Sequence, residues 1–252
     1  ARDLVRTKSD AVGLVVRGVS NPFYTDIIRA IERTITDAGF TMVMQQIGTC
    51  DDEVKCGAVM EREKRLQGIV FLGGRFDYTP ADLAMLNVPF VCCSYSNRYG
   101  TLIEGEYSSV SIADGDTAQQ AVEELYRHGH RRIAALISRP DDQSISQLRY
   151  EGYIQALESH GIPVDPELVI CTGGFGAKDA YRAVQEKMAE NVDFTALFAI
   201  ADSMAIGAMR ALMDAGRRIP EDCSVIAIDG LELSAYIEPV SYTHLRAHET
   251  LR

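Results

Sequence analysis

At 252 residues, with 46% hydrophobic and 24% charged side chains, the chain has ordinary globular composition and enough length to bury one or two cores. Its formal net charge of −11 argues against the chain as given gripping nucleic acid, because that affinity rests on neutralising phosphates; DNA contact needs a separate basic module. No apolar run approaches the roughly 20 residues that cross a bilayer, and the polar start ARDLVRTKSD has no apolar signal core, so neither a membrane partner nor secretion is expected and the reading is cytoplasmic.

Residues 1–9 read as the end of a short helix carrying Arg2, Arg6 and Lys8. Residues 11–16 form a short apolar run suited to a doubly covered parallel sheet. Asn21 then reads as a helix N-cap with Pro22 at the first helical position, and Phe23, Ile27, Ile28, Ile31, Ile35 and Ala38 recur at helical spacing until Gly39 closes the helix. A strand at 41–46, a charged helix at 51–65, a strand at 68–72, a brief helix from Thr79-Pro80 to Leu86 and a strand at 90–94 follow. Residues 95–108 are irregular and polar, and 110–112 suit an edge strand or a crossover.

A second series alternates helices at 114–128, 144–160, 177–190 and 203–215 with strands at 133–137, 168–171, 196–200 and 224–228. Strands alternating with helices of about 10–16 residues mean βαβ units and parallel sheets. With eight or nine strands and an irregular stretch near residue 100, the fold class is α/β with two doubly wound parallel-sheet lobes. They span 10–112 and 113–239, and a TIM barrel is the competing layout. Residues 240–252, VSYTHLRAHETLR, carry neither strand alternation nor a helical face.

Chemistry-bearing patterns are sparse. GGFGAK at 173–178 lacks P-loop spacing; no GxGxxG follows a strand, and no GxSxG elbow is present. His244 and His248 stand four apart, but in an irregular tail they read as solvated residues, not metal ligands. His128 and His130 flank Gly129 and read as cap interactions at a helix C-terminus. Cys50, Cys56, Cys92, Cys93, Cys171 and Cys223 show no CxxC pair and read as inert buried thiols. No cofactor, metal or catalytic set is expected, so an α/β enzyme is a weak alternative. What remains is a set of polar and aromatic residues at strand–helix junctions: Phe23, Tyr24, Ser94, Tyr95, Arg149, Phe175, Asp202 and Asp229. Aromatic faces cover the apolar side of a sugar ring while Arg and Asp bond its hydroxyls, so the set suits a small polyhydroxylated ligand.

The run LVVRGVSNPFYTDIIRAIERTITDAGF resembles the opening of the effector-binding core of LacI-family transcription regulators. The resemblance continues in order through LQGIVFLGG, NVPFV, ADGDTAQQAVEELYRHGHRRIAALIS, LRYEGYIQAL, ALFAIADSMAIGAMRALMDAGRRIPEDCSVIAIDG and SAYIEP, and covers residues 1–239. It implies a two-lobed, type I periplasmic-binding-protein-like core, a homodimer, and a sugar-like effector between the lobes whose binding changes operator affinity through lobe closure. Residues 1–9 then look like the remnant of a hinge leading to a helix-turn-helix head that would carry all operator contact.

Position by position, the resemblance puts Phe23 and Tyr24 against the effector, gives Arg149 a grip on its hydroxyls or carboxylates, stacks Phe175 on it and makes Asp229 an acidic contact. Ser94 stands where an Asp is common, and Ala201, before Asp202, stands where an Asn is often found. Residues 240–252 look like an appended, non-native run, which implies a first lobe without its last elements and with an unpaired strand edge. A periplasmic-type sugar-binding protein of a transport system is the runner-up reading. Arg149→Ala is expected to abolish effector binding while leaving ligand-free melting nearly unchanged.

Overall fold

The computed structural model describes residues 9–18, 22–48, 51–103 and 105–237; the hinge-like residues 1–8, the N-cap candidate Asn21, Cys50 and the tail with His244 and His248 lie outside them. The chain splits into two compact units, with the break between Ile112 and Ala113.

The first unit holds β1 (Ala11–Arg17), α1 (Tyr24–Asp37), β2 (Thr41–Ile47), α2 (Glu53–Lys64), β3 (Gly68–Leu72), α3 (Pro80–Leu83), β4 (Phe90–Cys93) and β5 (Ser108–Val110). Its strands form one parallel sheet in the order β2-β1-β3-β4-β5. Alternation along each strand sends successive residues to opposite faces. Leu14, Val16 and Leu72 accordingly pack with Tyr24, Ile27, Ile28 and Ile31 of α1. Gly13, Ile69 and Phe71, one position out of phase, meet α2 instead. A Cβ on Gly57 of α2 would sit 2.8 Å from the Phe71 ring, so the missing side chain lets α2 lie close on the sheet.

The second unit holds α4 (Asp114–Arg127), β6 (Ile133–Ile137), α5 (Ile145–Ser159), β7 (Val169–Cys171), α6 (Ala177–Ala189), β8 (Ala196–Ala199), α7 (Asp202–Asp214) and β9 (Ser224–Ala227). The parallel sheet runs β7-β6-β8-β9. Every residue of β6 and β8 is buried, as a sheet covered on both faces requires. Two open sheets with separate strand orders replace the barrel alternative. No helix among the described residues is long and apolar enough to cross a membrane.

Local signals held to within a residue or two at most boundaries; the brief helix expected to reach Leu86 ends at Leu83, and three other expectations differ more in kind. The helix expected from Pro22 begins at Tyr24, with Phe23 at the N-cap and no side-chain cap; Pro22 forms a preceding turn whose carbonyl accepts from the Thr25 N–H at 3.0 Å. The edge strand expected at 110–112 pairs two residues earlier, as β5. His128 caps α4 as expected, its Nδ1 lying 2.9 Å from the Glu124 carbonyl. His130 does not: its ring bridges Thr195 Oγ1 and Ser224 Oγ, each at 3.0 Å, and burial pushes its imidazole below the usual histidine value.

Asp52 caps α2 by accepting from the Val54 and Lys55 N–H groups at 3.1 and 3.0 Å. Asp52→Ala is expected to cost about 1 kcal/mol, read as a lower urea midpoint with an unchanged slope. An unchanged midpoint would remove this cap from the account of α2.

Candidate functional site

In a doubly wound sheet the ligand-facing position is the carboxyl end of the strands, where the strand order reverses. In the second unit that reversal lies between β6 and β8, and a cluster of charge is built there. Arg149, one turn into α5, is 3% exposed. Its Nε donates to Asp114 Oδ1 at 2.9 Å, and its Nη1 donates to the Ile200 carbonyl just beyond β8 and to Asp229 Oδ1 at 3.4 Å. Asp114 and Asp202 are the first residues of α4 and α7, where the helix dipole favours a carboxylate. Asp202 Oδ2 accepts from the Leu231 N–H and the Ser234 hydroxyl, both at 2.7 Å, which pins the 3-10 turn Glu232–Tyr236 to the head of α7. Ser203 Oγ donates to the Phe175 carbonyl at 2.7 Å and holds the half-buried Phe175 beside the same helix end.

Burial dominates the titration of this cluster. It raises the carboxyls of Asp114 and Asp202, and it pushes Asp229 up to about 6 against the pull of Arg149, helped by the neighbouring Asp202 charge. Arg149 stays above its ordinary value because Asp114 and Asp229 outweigh its own desolvation. Asp202 Oδ1 and Asp229 Oδ2 are buried and make no hydrogen bond of good geometry among the described residues, although the Gly230 and Asp202 N–H groups stand close enough to hold the two carboxyls down somewhat.

The first unit places a different set at its own reversal point, between β1 and β3. Tyr24 packs into the Leu14, Val16 and Leu72 cluster, and its hydroxyl fills the place where a Cβ on Gly73 would stand, 2.6 Å away. Gly73 also sits at φ +69°, so the turn after β3 needs glycine on both counts. Phe23 is half-buried, its ring centroid 6.1 Å from that of Tyr24. Tyr24 thus serves the packing of its lobe, and both rings are half-buried.

Ser94 follows β4 at φ +64°, and its N–H donates to the Val110 carbonyl at 2.8 Å. Asp229 follows β9 at φ +133°. Left-handed backbone in a non-glycine residue costs about 1–2 kcal/mol. Two expected site residues, one on each sheet, therefore occupy strained positions after a strand, a positive-φ conformation that Arg65, Gln143 and Asn191 share elsewhere.

Several residues join the site that sequence reasoning did not single out. Asp114 read only as the start of a helix. In the first unit, Glu53 is fully buried at the head of α2. Its Oε1 accepts from the Arg75 N–H at 2.7 Å, its Oε2 lies 3.6 Å from Arg17 Nε, and burial raises its carboxyl. The Arg75 guanidinium lies 4.9 Å over the ring of the buried Tyr78; Tyr95, which the sequence did single out, is also almost wholly buried. A Cβ on Gly74 would collide with both the Tyr95 ring and Glu53 Oε1. The nearest sequence signal was the GG pair after a strand, which marks close backbone approach without saying what approaches.

No group of three or more His, Cys, Asp or Glu among the described residues is placed to hold a metal ion. Burial pushes the Cys92 thiol up to about 11 and that of Cys223 up to about 12. Cys171 is exposed, against the expectation of burial.

A periplasmic binding protein-like domain family matches residues 122–252. The HTH-type transcriptional regulator MalR of Clostridium butyricum is 35% identical over 95% of this chain and 71% of its own length. The chain belongs to the LacI family of transcriptional regulators. The HTH-type transcriptional repressor CytR of Escherichia coli K12 is 29% identical, over 94% of this chain and 68% of its own length. A solved structure described as the transcriptional regulator CelR–cellobiose complex superposes with a TM-score of 0.79 at 30% identity, covering 93% of this chain and 72% of that one.

Within the LacI family, the part represented here is the effector-binding domain, and its relatives are regulators, not enzymes. The two sheets have the periplasmic-binding-protein-like architecture that the resemblance implied. Three of the eight residues singled out from the sequence, Arg149, Asp202 and Asp229, meet in one buried cluster, with Phe175 tied to it. Phe23, Tyr24 and Ser94 lie at the strand ends of the other sheet.

Proposed function

We propose that the chain is the sensing core of a cytoplasmic, homodimeric LacI-type regulator and takes up a small, sugar-like effector at the strand ends of its two lobes. In the full-length regulator, ligand-dependent lobe closure would then change the operator affinity of a helix-turn-helix head. The reading assigns lobe boundaries at 10–112 and 113–239. The contacts are Phe23, Ser94, Arg149, Phe175, Asp202 and Asp229, with Tyr24 supporting Phe23. One observation carries it: a buried Arg–Asp cluster at the sheet's reversal point, with carboxylate oxygens that make no hydrogen bond of good geometry among the described residues, beside a half-buried aromatic ring. The relative with cellobiose in its description supports the sugar class. A ligand shifts the lobe equilibrium only by its differential affinity for the two arrangements.

Thermal melting of the chain with hexoses, pentoses, disaccharides, their phosphates, nucleosides and nucleobases tests this. A ligand at 100 times its Kd stabilises by about 2.7 kcal/mol, which for this chain length raises Tm by roughly 5–11 °C. No shift from any compound at millimolar concentration would count against a small-molecule sensor.

A further inference from the structure

We infer that α2 is a strut that carries displacement between the ligand-facing strand ends of the first unit and Ser9, the residue that joins 1–8 to the sheet, with Glu53 as the positioning residue at its head. The inference concerns the regulation of the effector reading above and rests on that reading for what moves the strut; the coupling itself is read without a ligand.

Three observations carry it. The first is the head of the helix. Glu53 opens α2 and is wholly buried. Its Oε1 accepts from the Arg75 N–H in the turn after β3, and its Oε2 faces Arg17, the last residue of β1. The turn lies directly on this carboxyl, because a Cβ on Gly74 would stand 2.7 Å from Oε1. Arg17 is the outward member of the pair: its side chain is 20% exposed and that of Glu53 0%. Whatever alters the pairing of Arg17 at the strand ends therefore acts on a carboxylate that has no water to turn to.

The second is the tail. A helix ends in carbonyls that have no partner within it. Ser9 Oγ lies 2.8 Å from the Lys64 carbonyl oxygen and 2.7 Å from that of Arg65, and its single proton serves this pair. Gln67 closes the clamp: its Nε2 donates to the Ser9 carbonyl at 2.9 Å and its backbone N–H to the Ala11 carbonyl at 2.8 Å. Glu61 Oε2 accepts from the Asn87 N–H at 3.0 Å, which ties the last turn of α2 to the approach to β4.

The third is the lack of slack between the two ends. A Cβ on Gly57 would stand 2.8 Å from the Phe71 ring, and one on Gly13 of β1 would stand 2.6 Å from Leu66 Cδ1, just past the helix end. Val54, Ala58 and Met60 bury the rest of that face. An interior packed this closely transmits a displacement instead of absorbing it. The 12 residues of α2 span about 18 Å. The other long helix of the unit is a poorer carrier, since Ile35 alone is buried along α1 and no side chain caps its start.

Hydrogen–deuterium exchange on the 252-residue chain and on Glu53→Gln tests the inference. Glutamine keeps an acceptor for the Arg75 N–H and removes the charge that faces Arg17. The amides of Gly73 and Arg75 at the head and of Leu66 and Gln67 at the tail are all hydrogen-bonded. They are expected to exchange at least fivefold faster in the variant, while those of β2 keep the parent's rates. Acceleration confined to the head overturns the inference. Acceleration that includes β2 means a general loss of stability and overturns it as well, and so does an unchanged pattern.

Ser9→Ala asks the same question from the other end and decides it alone should Glu53→Gln fail to fold. Faster exchange at Leu66 and Gln67 together with faster exchange at Arg75, about 18 Å away along the helix, supports the strut. A change that stops at the tail sinks it. A melting screen without a hit removes the effector reading and leaves the coupling standing, whereas exchange confined to one end removes the coupling and leaves the effector reading.

Discussion

Gly152→Ala is expected to lower the melting temperature by about 4–8 °C and to weaken any effector-induced shift, although residue 152 lies at a helix crossing and not in the Arg149 cluster. Gly152 lies in α5 where it crosses α4. A Cβ there would stand 2.2 Å from the Gly115 carbonyl oxygen and 2.9 Å from Ala118 Cβ. Both obstacles belong to the facing helix and one is backbone, so the helices must part by about 1 Å to restore ordinary contact. Alanine gains about 1 kcal/mol of helix propensity over glycine, and overpacking of this kind costs about 3 kcal/mol or more, so the clash wins by about 2 kcal/mol. At about 2–4 °C per kcal/mol for a chain of this size, the stated drop follows.

The same displacement reaches the site. Arg149 is one turn before Gly152 and Asp114 is next to Gly115, so separating α4 from α5 stretches the 2.9 Å Arg149–Asp114 bond. The neighbouring glycine gives the opposite forecast: a Cβ on Gly115 meets only the Leu148 carbonyl at 3.6 Å, so Gly115→Ala is expected to be neutral or to raise Tm slightly. Equal effects from the two substitutions would show that helix propensity, not close approach, governs this crossing.

That pair of glycines also marks the limit of what the sequence discloses. Strand and helix positions were legible because apolar runs, caps and closing glycines are local: Gly39, Gly129 and Gly216 each stand at positive φ directly after a helix. Alternation of strand and helix with right-handed crossovers leaves few parallel arrangements, but it does not fix the strand order, which the sequence did not disclose. The site was legible in type, not in wiring. Asp202 and Asp229 could be named because each opens or follows an element at the sheet's carboxyl side, whereas the role of Arg149, one turn into α5, came from the resemblance.

Nothing in the sequence says that Asp114, 35 residues before Arg149, holds its Nε, or that Glu53 is wholly buried between Arg17 and Arg75. Such contacts are set by the register of packed helices, which depends on side chains far apart in the chain. His130 fails for the same reason: its partners Thr195 and Ser224 open two other strands, and proximity to a helix end suggested a local cap instead. Tyr24 shows a contact that local pattern does not disclose: its ring packs against the Leu14, Val16 and Leu72 cluster.

Arg149→Ala carries the largest expected effect, and here the structure reverses an expectation from sequence. A ligand-facing arginine at a solvent-lined rim could be removed at little cost to the free protein. Arg149 is instead 3% exposed and is the cation for carboxylates on α4 and after β9. Removing one partner of a buried ion pair leaves uncompensated charge and costs about 3–5 kcal/mol, so the ligand-free Tm is expected to fall by roughly 6–20 °C.

The pH dependence separates this cause from a simple packing cavity. Asp114, Asp202 and Asp229 already have folded-state values above those of free carboxylates, and Arg149 is a cause that lowers all three. Without it they rise further. A carboxyl whose folded value exceeds its unfolded value destabilises the fold above the folded value, and the penalty fades as pH falls through it. The gap in Tm between the parent chain and Arg149→Ala is therefore expected to be widest near pH 8 and to narrow steadily towards pH 5. His130, whose depressed value acts with the opposite slope, is common to both proteins and cancels in the difference. A gap that stays constant from pH 8 to pH 5 would mean that the lost side-chain volume, and not the stranded charge of three carboxylates, is what the substitution costs.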